Sequence, residues 1–261
     1  MRYIFNQEIT KVLKNKKRLF LFLDYDGTLA AIVRDPGKAK LTRYTRRLLR
    51  ELTRQEKVVL GIISGRSLSD VKKRVGVNNI FYAGNHGLEI LFKGKKILVK
   101  EALIKQCRLT LILAKKELRK ALKGIKGVVF EDKGVIFAVH YRKVTKGLAR
   151  VKLIFRRVTA AYLGNRKLKL SAGKKVLEIR PNIAINKFDA VNFLQKRLKK
   201  QKDELTIFIG DDLTDEDVFK NLGCSDFGIR VGRKQGSRAR YFLKNPQEVN
   251  KLLAKILKSK T

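Results

Sequence analysis

The sequence predicts an α/β fold, namely a doubly wound parallel sheet that carries an inserted α+β domain. Three apolar runs are rich in Leu, Ile, Val and Phe, and each ends at a polar motif; they are Leu19–Leu23, Val58–Ile63 and Leu205–Gly210. Continuous runs of this length are typical of strands that are covered on both faces, as in a parallel sheet. The middle of the chain has a different pattern, which predicts a separate domain.

Helices are predicted between these strands. The segment 41–56 has apolar residues at helical spacing, and a second helix is expected at Phe188–Leu198, before the third strand. Strands that alternate with helices indicate a doubly wound sheet, in which ligands bind beyond the carboxyl ends of the strands. The polar motifs of this chain lie at those ends.

The inserted domain is expected at 101–181, between core segments 1–100 and 182–261. Apolar spacing predicts two helices and four strands there. In chain order they are Glu101–Lys123, Gly127–Asp132, Gly134–Arg142, Leu148–Tyr162, Lys167–Ser171 and Lys175–Arg180. The order αββαββ describes a compact α+β unit with its own sheet.

Composition limits the possible classes of protein. The chain has 261 residues, of which 44% are hydrophobic, so it can bury a sizeable core. Cys107 and Cys224 are too few for a disulfide framework or a four-thiolate zinc site. No segment approaches the roughly 20 apolar residues of a membrane helix. We therefore expect a cytoplasmic protein with no membrane partner.

Clustered acids are informative in so basic a chain, whose formal net charge is +39. Five acids occupy the seven positions 211–217, where they indicate either a cation site or a helix start that favours carboxylates. Asp24 and Asp26 favour the cation site, because two carboxylates that close are costly at the end of a buried strand. Oxygen ligands without a His or Cys set favour Mg²⁺.

Mg²⁺ beside an exposed carboxylate suits phosphate chemistry. Two further groups at predicted strand ends fit this interpretation. Ser64-Gly65-Arg66 offers a hydroxyl and loop amides to phosphate oxygens, and Lys187 offers a positive charge. A lone lysine in a chain with 62 basic residues would otherwise be interpreted as a surface residue.

These motifs carry a family resemblance. Asp24-Tyr-Asp-Gly-Thr, Ser64-Gly-Arg, Lys187 and Gly210-Asp-Asp-Leu-Thr-Asp-Glu resemble, in order, the four motifs of the haloacid dehalogenase (HAD) superfamily of phosphatases. Stretches 83–89, 137–142 and 173–181 narrow the resemblance to the trehalose-6-phosphate phosphatase family, whose cap domain is inserted between the second and third motifs. The resemblance implies a HAD-like, Rossmannoid core with an α+β cap. Phe188 departs from the glycine that commonly follows the motif lysine, which could shift the helix start that places Lys187.

The resemblance implies roles for individual residues. Asp24 would be the nucleophile that forms an aspartyl-phosphate, and Asp26 the general acid and base. Ser64 and Lys187 would hold the transferring phosphoryl oxygens. The residues expected to hold or surround Mg²⁺ are Asp24, the Asp26 main-chain carbonyl, Asp211, Asp212 and Asp215.

Charged pairs at strand spacing suggest a sugar site in the cap. Glu131 with Lys133, His140 with Arg142, and Lys174 with Glu178 each share one face of a predicted strand. Such acids and bases can hydrogen-bond the hydroxyls of a disaccharide, or they can form solvated salt bridges of little value. The expected substrate-binding residues are Gly65, Arg66, His86, Glu131, Lys133, His140, Arg142, Lys174 and Glu178.

The leading hypothesis is a Mg²⁺-dependent trehalose-6-phosphate phosphatase of trehalose biosynthesis, with a trehalose-6-phosphate synthase as a candidate partner in the pathway. The first alternative is a related HAD phosphatase of sucrose-phosphate or mannosyl-3-phosphoglycerate. The second is a nucleic-acid-binding protein, which the +39 charge suggests. No nucleic-acid-binding motif supports the second, so we expect no specific nucleic-acid partner.

Overall fold

The computed structural model describes residues 1–6, 9–33, 36–164, 166–173 and 175–260. The chain forms two compact units. Unit 1 comprises Met1–Val99 and Ile185–Thr261, and unit 2 comprises Lys100–Ala184.

The described residues form two sheets. Their strands are β1 (Arg2–Tyr3), β2 (Leu19–Leu23), β3 (Val58–Ile63), β4 (Phe81–Gly84), β5 (Glu89–Phe92), β6 (Lys95–Leu98), β7 (Val129–Asp132), β8 (Phe137–His140), β9 (Leu168–Gly173), β10 (Val176–Pro181), β11 (Leu205–Gly210), β12 (Phe227–Val231) and β13 (Tyr241–Leu243). The α-helices are α1 (Ile9–Lys14), α2 (Arg43–Thr53), α3 (Leu68–Val75), α4 (Glu101–Ala121), α5 (Leu148–Ala160), α6 (Lys187–Arg197), α7 (Glu216–Asn221) and α8 (Pro246–Lys260).

The sheet of unit 1 is parallel over seven strands and has an antiparallel edge. Its order is β1-β13-β12-β11-β2-β3-β4-β5-β6, and the hairpin β5–β6 supplies the antiparallel part. The side chains of β2 enter two different hydrophobic clusters. Leu21 packs with Leu49 and Leu252 on one face, whereas Phe22 packs with Val191 on the other. Both faces are therefore covered, as the continuous apolar runs predicted, and the doubly wound α/β fold is confirmed.

Helix α6 begins at Lys187 itself. The side chain of Asn186 accepts hydrogen bonds from the backbone N–H groups of Phe188 and Asp189, and the Asp189 carboxylate accepts one from the Asn186 N–H. This capping box satisfies the free amides of the first turn. The Phe188 departure therefore leaves the start of the helix at the motif lysine.

Unit 2 has the order αββαββ and a four-stranded antiparallel sheet, β7-β8-β10-β9. Phe137 and Ile179 project from one face of this sheet into a core that includes Leu118 of α4 and Phe155 of α5. Register pairing places Glu131 and Glu178 opposite Ala138, on the other face. The sheet therefore has a helix-covered apolar face and a polar face.

Two strands of unit 2 are shorter than the sequence predicted. Strand β7 begins at Val129 rather than Gly127 and ends at Asp132 as predicted, so Lys133 follows its end. Strand β8 spans only Phe137–His140, so Arg142 lies beyond the strand on which it was predicted. None of the helices in the described ranges is long and apolar enough to span a bilayer.

Candidate active site

The polar motifs converge because their strands are neighbours in the sheet. Strand β2 lies between β11 and β3, so the residues that follow all three strands meet at one edge. The Asp24 N–H donates to the carbonyl of Ile209 at 2.9 Å, which places Asp24 beside the end of β11. The Thr28 hydroxyl donates to Asp211 Oδ1 at 3.4 Å. The sheet thus brings the first and fourth motifs into contact.

Lys187 lies among the carboxylates of this edge. Its Nζ donates to Asp24 Oδ1 at 2.7 Å and to Asp215 Oδ1 at 2.8 Å. Burial lowers the pKa of Lys187, but the nearby Asp24 and Asp215 outweigh it and the pKa is raised. Burial and the neighbouring Asp215 raise the pKa of Asp24 well above its usual range, against the opposing effect of Lys187. The ammonium group therefore remains charged and ties the third motif to the first and fourth.

Three carboxylates form a group that can hold a metal ion. Oxygen atoms of Asp24, Asp211 and Asp215 all lie within 4.8 Å of one another. Burial, followed by repulsion from neighbouring aspartates, raises the pKa of Asp211 to about 7. The pKa of Asp215 rises to about 6, again mainly through burial. A hard divalent cation with a preference for oxygen ligands would relieve this repulsion.

Asp212 lies beside this triad, and its side chain accepts hydrogen bonds from the backbone of its own loop. Its Oδ1 accepts hydrogen bonds from the Thr214 N–H at 2.8 Å and the Asp215 N–H at 3.1 Å. Lys187 Nζ lies 3.8 Å from the same oxygen. Lys187 and the Thr214 hydrogen bond outweigh burial, so the pKa of Asp212 is lowered. Asp212 stays ionised and shapes the turn that presents Asp215.

Two glycines leave room for the carboxylates. A Cβ atom on Gly27 would lie 2.0 Å from Asp211 Oδ2, and the residue has a φ of +82°. A Cβ atom on Gly210 would lie 2.3 Å from the Asp215 carboxyl carbon. Both positions therefore exclude any side chain, which explains why glycine stands in each motif.

The Asp26 carboxylate is held by Arg66 at the end of the next strand. The guanidinium donates two hydrogen bonds to Asp26, both 2.6 Å long, in a bidentate arrangement. It also donates to Asp70 on α3 at 2.9 Å. Hydrogen bonds to Asp26 and Asp70 outweigh burial and raise the pKa of Arg66. Arg66 was expected among the substrate-binding residues, and its ion pair with Asp26 was not predicted.

Ser64, Gly65 and His86 lie together beside the Asp26–Arg66 pair. The buried Ser64 hydroxyl accepts from the Arg66 N–H at 3.2 Å, and its carbonyl accepts from the His86 N–H at 3.0 Å. A Cβ on Gly65 would lie 2.5 Å from His86 Cε1, so the imidazole rests directly on the glycine. His86 adopts a left-handed φ of 58°. These three predicted residues are close together in the structure.

Arg230, which the sequence did not predict as a site residue, contacts the acidic loop. Its buried guanidinium on β12 donates to Glu216 Oε1 at 2.9 Å and to the main-chain carbonyls of Asp211 and Asp212. It thereby fixes the loop that presents Asp211 and Asp215. Nothing in the local sequence distinguishes this arginine from the other basic residues of the chain.

Unit 2 gathers several of the predicted sugar-binding residues on its polar face. Lys133 Nζ donates to Glu178 Oε1 at 3.0 Å, and His140 Nε2 lies 2.8 Å from Glu131 Oε2. Ser171, which was not predicted, donates to Glu178 Oε2 at 3.1 Å. Burial raises the pKa of Glu178, but Lys133 outweighs it and the net direction is down.

The two other residues predicted in the cap are Arg142 and Lys174. Arg142 is exposed in the turn beyond β8. Lys174 lies outside the described residues.

Comparisons with known proteins identify the family of this chain. A family model described as trehalose-phosphatase matches residues 22–247. Trehalose-phosphate phosphatase B of Arabidopsis thaliana is 36% identical over 267 residues, which cover 97% of this chain and 70% of that protein.

Two solved structures share the fold. The C-terminal domain of C. albicans trehalose-6-phosphate phosphatase is similar with a TM-score of 0.77 at 22% identity, over 98% of each chain. A haloacid dehalogenase-like hydrolase from Bacteroides thetaiotaomicron has a TM-score of 0.66 at 17% identity, over 92% of this chain and 100% of that one. The HAD-like core predicted from the motifs is confirmed.

Proposed function

The chain belongs to the trehalose-phosphatase family, and from that premise we propose that it hydrolyses trehalose 6-phosphate to trehalose and phosphate through an aspartyl-phosphate. Family membership makes it a phosphatase, a hydrolase of phosphoric monoesters. One observation carries the proposed mechanism. A single buried lysine bridges Asp24 and Asp215 beside Asp211, which is a phosphoryl-transfer arrangement of fixed positive charge among carboxylates.

In the first step, an oxygen of Asp24 attacks phosphorus and the bond from phosphorus to the sugar oxygen breaks. Asp26 donates a proton to the departing sugar oxygen, which leaves as a hydroxyl group. In the second step, Asp26 takes a proton from water, and the resulting hydroxide oxygen attacks the phosphorus of the aspartyl-phosphate. Inorganic phosphate leaves and the Asp24 carboxylate is restored. General acid–base help of this kind is worth roughly 10²–10⁴-fold in rate.

Lys187 and Ser64 hold the phosphoryl group in this mechanism. The ammonium hydrogen bond to Asp24 directs one carboxylate oxygen and leaves the other to attack. The positive charge also balances the charge that spreads over the phosphoryl oxygens in the transition state. Ser64, buried at the end of β3, offers its hydroxyl from the neighbouring strand.

The acidic triad fits a magnesium ion. Asp24, Asp211 and Asp215 supply carboxylate oxygens only, and burial makes their mutual repulsion costly without a cation. These residues would hold Mg²⁺, which would neutralise phosphate charge so that an anionic substrate can approach. We also expect the Asp26 carbonyl to contribute and Asp212 to remain close by, as the family resemblance implies.

Unit 2 would act as the substrate-selecting cap. Its polar face presents Glu131, Lys133, His140 and Glu178, whose donors and acceptors suit the hydroxyl groups of a disaccharide. A synthase of trehalose 6-phosphate would supply the substrate in the same pathway. The candidate alternative is another sugar phosphate with the same core chemistry.

A phosphate-release panel tests the proposal. Purified protein with Mg²⁺ is offered trehalose 6-phosphate, sucrose 6-phosphate, mannosyl-3-phosphoglycerate and glucose 6-phosphate. We expect kcat/KM to be highest for trehalose 6-phosphate. Asp24→Asn should lose roughly 10³-fold or more of kcat without unfolding, because the attacking oxygen is lost. Asp203→Asn, at an exposed loop position, is the matched control. Near-normal turnover by Asp24→Asn would eliminate the covalent route.

A further inference from the structure

The outer surface of unit 2 combines exposed aliphatic side chains with dense positive charge. Helices α4 and α5 pack against each other and cover the apolar face of the unit 2 sheet. Their outward faces, here called the outer helical layer, carry four strongly exposed aliphatic residues. These are Leu109 (76% exposed), Leu153 (66%), Leu113 (54%) and Ile112 (49%).

The exposed residues on α4 lie on one stripe of the helix. Ile112 and Leu113 follow Leu109 by three and four residues, and the core-facing residues Cys107 and Leu111 occupy the opposite side. The buried stripe of α4 packs into the hydrophobic core of unit 2. The outward aliphatic residues are not part of that core, and contiguous exposed apolar side chains are typical of interaction surfaces.

The charge of the layer is one-sided. Over its whole length α4 carries six Lys or Arg residues against two Glu, and one of the six, Lys115, is paired with Asp132 away from the layer. Helix α5 carries four Lys or Arg residues and no acid. Arg108 and Lys116 flank Leu109 and Leu113 on α4, and both are exposed. A second copy of this chain would meet the layer with the same positive charge, which opposes self-association. The occupant must be anionic and must accept aliphatic side chains.

We propose that the outer helical layer binds an anionic lipid surface. Leucine side chains can enter the boundary between headgroups and acyl chains, while lysine and arginine side chains extend to the phosphates. A nucleic acid would use the positive charge but would offer no apolar phase to the four aliphatic residues. The polar face of the unit 2 sheet lies on the opposite side of the unit, so this mode of binding leaves it uncovered.

Binding at a lipid surface differs from the expected absence of a membrane partner. That expectation rested on the lack of a spanning segment, and a surface layer formed by two helices requires none. The inference does not depend on the proposed catalytic function.

Vesicle sedimentation with the full chain tests the proposal. Vesicles of phosphatidylcholine mixed with phosphatidylglycerol should sediment the protein, and pure phosphatidylcholine vesicles should not. Leu109→Gln with Leu113→Gln should weaken binding to the mixed vesicles by roughly 10- to 100-fold, because two leucines lose their insertion. Thermal stability and turnover of p-nitrophenyl phosphate should stay at the wild-type level, since both leucines are exposed and distant in sequence from the catalytic motifs.

A charge-matched pair separates this layer from the bulk charge of the chain. Arg108→Gln with Lys116→Gln should weaken vesicle binding more than Lys251→Gln with Lys258→Gln, two exposed positions on α8. Equal losses from the two pairs, or wild-type binding by the leucine variant, would overturn the proposal. So would failure of the wild-type chain to bind the mixed vesicles, or binding of a single-stranded RNA that competes fully with them.

Discussion

Lys187 illustrates how one side chain can organise a site. Its ammonium group is almost fully buried and contacts carboxylates from two different strand ends, Asp24 and Asp215. A buried charge is tolerated only when it is paired, and removal of one partner leaves the others uncompensated. The lysine could be identified from the motif order, but its two partners could not, because they lie 163 and 28 residues away in sequence.

Arg66 is the residue at which the structure most changes the chemical interpretation. Its guanidinium holds both oxygens of the ionised Asp26. When Asp26 carries the proton for the leaving group, one oxygen becomes a donor and only one of these bonds remains. We expect that bond to position the proposed general acid, so that Arg66 does more than bind phosphate. Arg66→Met should slow release of the leaving group in the first turnover by roughly 10²-fold for trehalose 6-phosphate. The effect on p-nitrophenyl phosphate should be much smaller, because nitrophenolate leaves without a proton. Rapid-quench measurements on both substrates check this.

Two further variants control this test. Arg66→Lys should restore part of the rate on the sugar phosphate, because it retains a donor to Asp26. Arg74→Met removes a guanidinium from Asp70 but leaves the Asp26 pair in place, so it should affect both substrates little. Equal losses of rate on the two substrates in Arg66→Met would instead indicate that Arg66 binds the phosphate group.

At the scale of elements, the loop between β11 and α7 determines how the site responds to pH. Burial and repulsion raise the pKa of Asp211 to about 7 in the folded protein without metal, from 3.8. A raised carboxyl pKa contributes stability that is complete at low pH and is lost as pH rises from about 4 to about 7. A bound cation favours the ionised carboxylates. We therefore expect protons and Mg²⁺ to compete for this loop.

We accordingly expect Mg²⁺ to raise the melting temperature more at pH 8 than at pH 5. Excess Mg²⁺ at pH 8 should raise it by roughly 5 °C over the protein in EDTA, and the shift at pH 5 should be smaller. Differential scanning fluorimetry measures both. Asp211→Asn should reduce the shift at pH 8, whereas Asp203→Asn should not. A shift that is equal at the two pH values would contradict the competition. Phosphatase activity should likewise stop in EDTA and return with Mg²⁺.

The elements also show what sequence patterns can and cannot reveal. Strands β2, β3 and β11 were predicted with their observed bounds, because a continuous apolar run has a clear start and end. Arg142 was predicted at the end of a strand but lies beyond β8, since alternation alone does not mark where pairing stops. Arg230 reaches the acidic loop from the neighbouring strand β12. A contact between residues that are distant in the sequence produces no local sequence pattern.

At the scale of the whole molecule, the two units divide the proposed work between bond cleavage and substrate selection. Glu178→Ala should raise the KM for trehalose 6-phosphate by roughly tenfold or more, because it removes the acceptor held by Lys133 and Ser171. The KM for p-nitrophenyl phosphate should change little. Steady-state kinetics on the two substrates check this.

Asp132→Ala is the matched control for that variant. Asp132 belongs to the same sheet, but its partner is Lys115 of α4, on the helix-covered side. It should leave both KM values near the wild type. Equal changes in KM for the two substrates in Glu178→Ala would show that the polar face does not recognise the sugar.

The chain enters and leaves unit 2 at a single point. Lys100 precedes α4 and Ala184 follows β10, and the Lys100 ammonium donates to the Ala184 carbonyl at 2.6 Å. A loop whose ends meet can be cut out and bridged by a few residues without stretching either flank. Grafting a different sugar-reading module between these two residues would therefore offer a direct way to redirect the hydrolase to new metabolites.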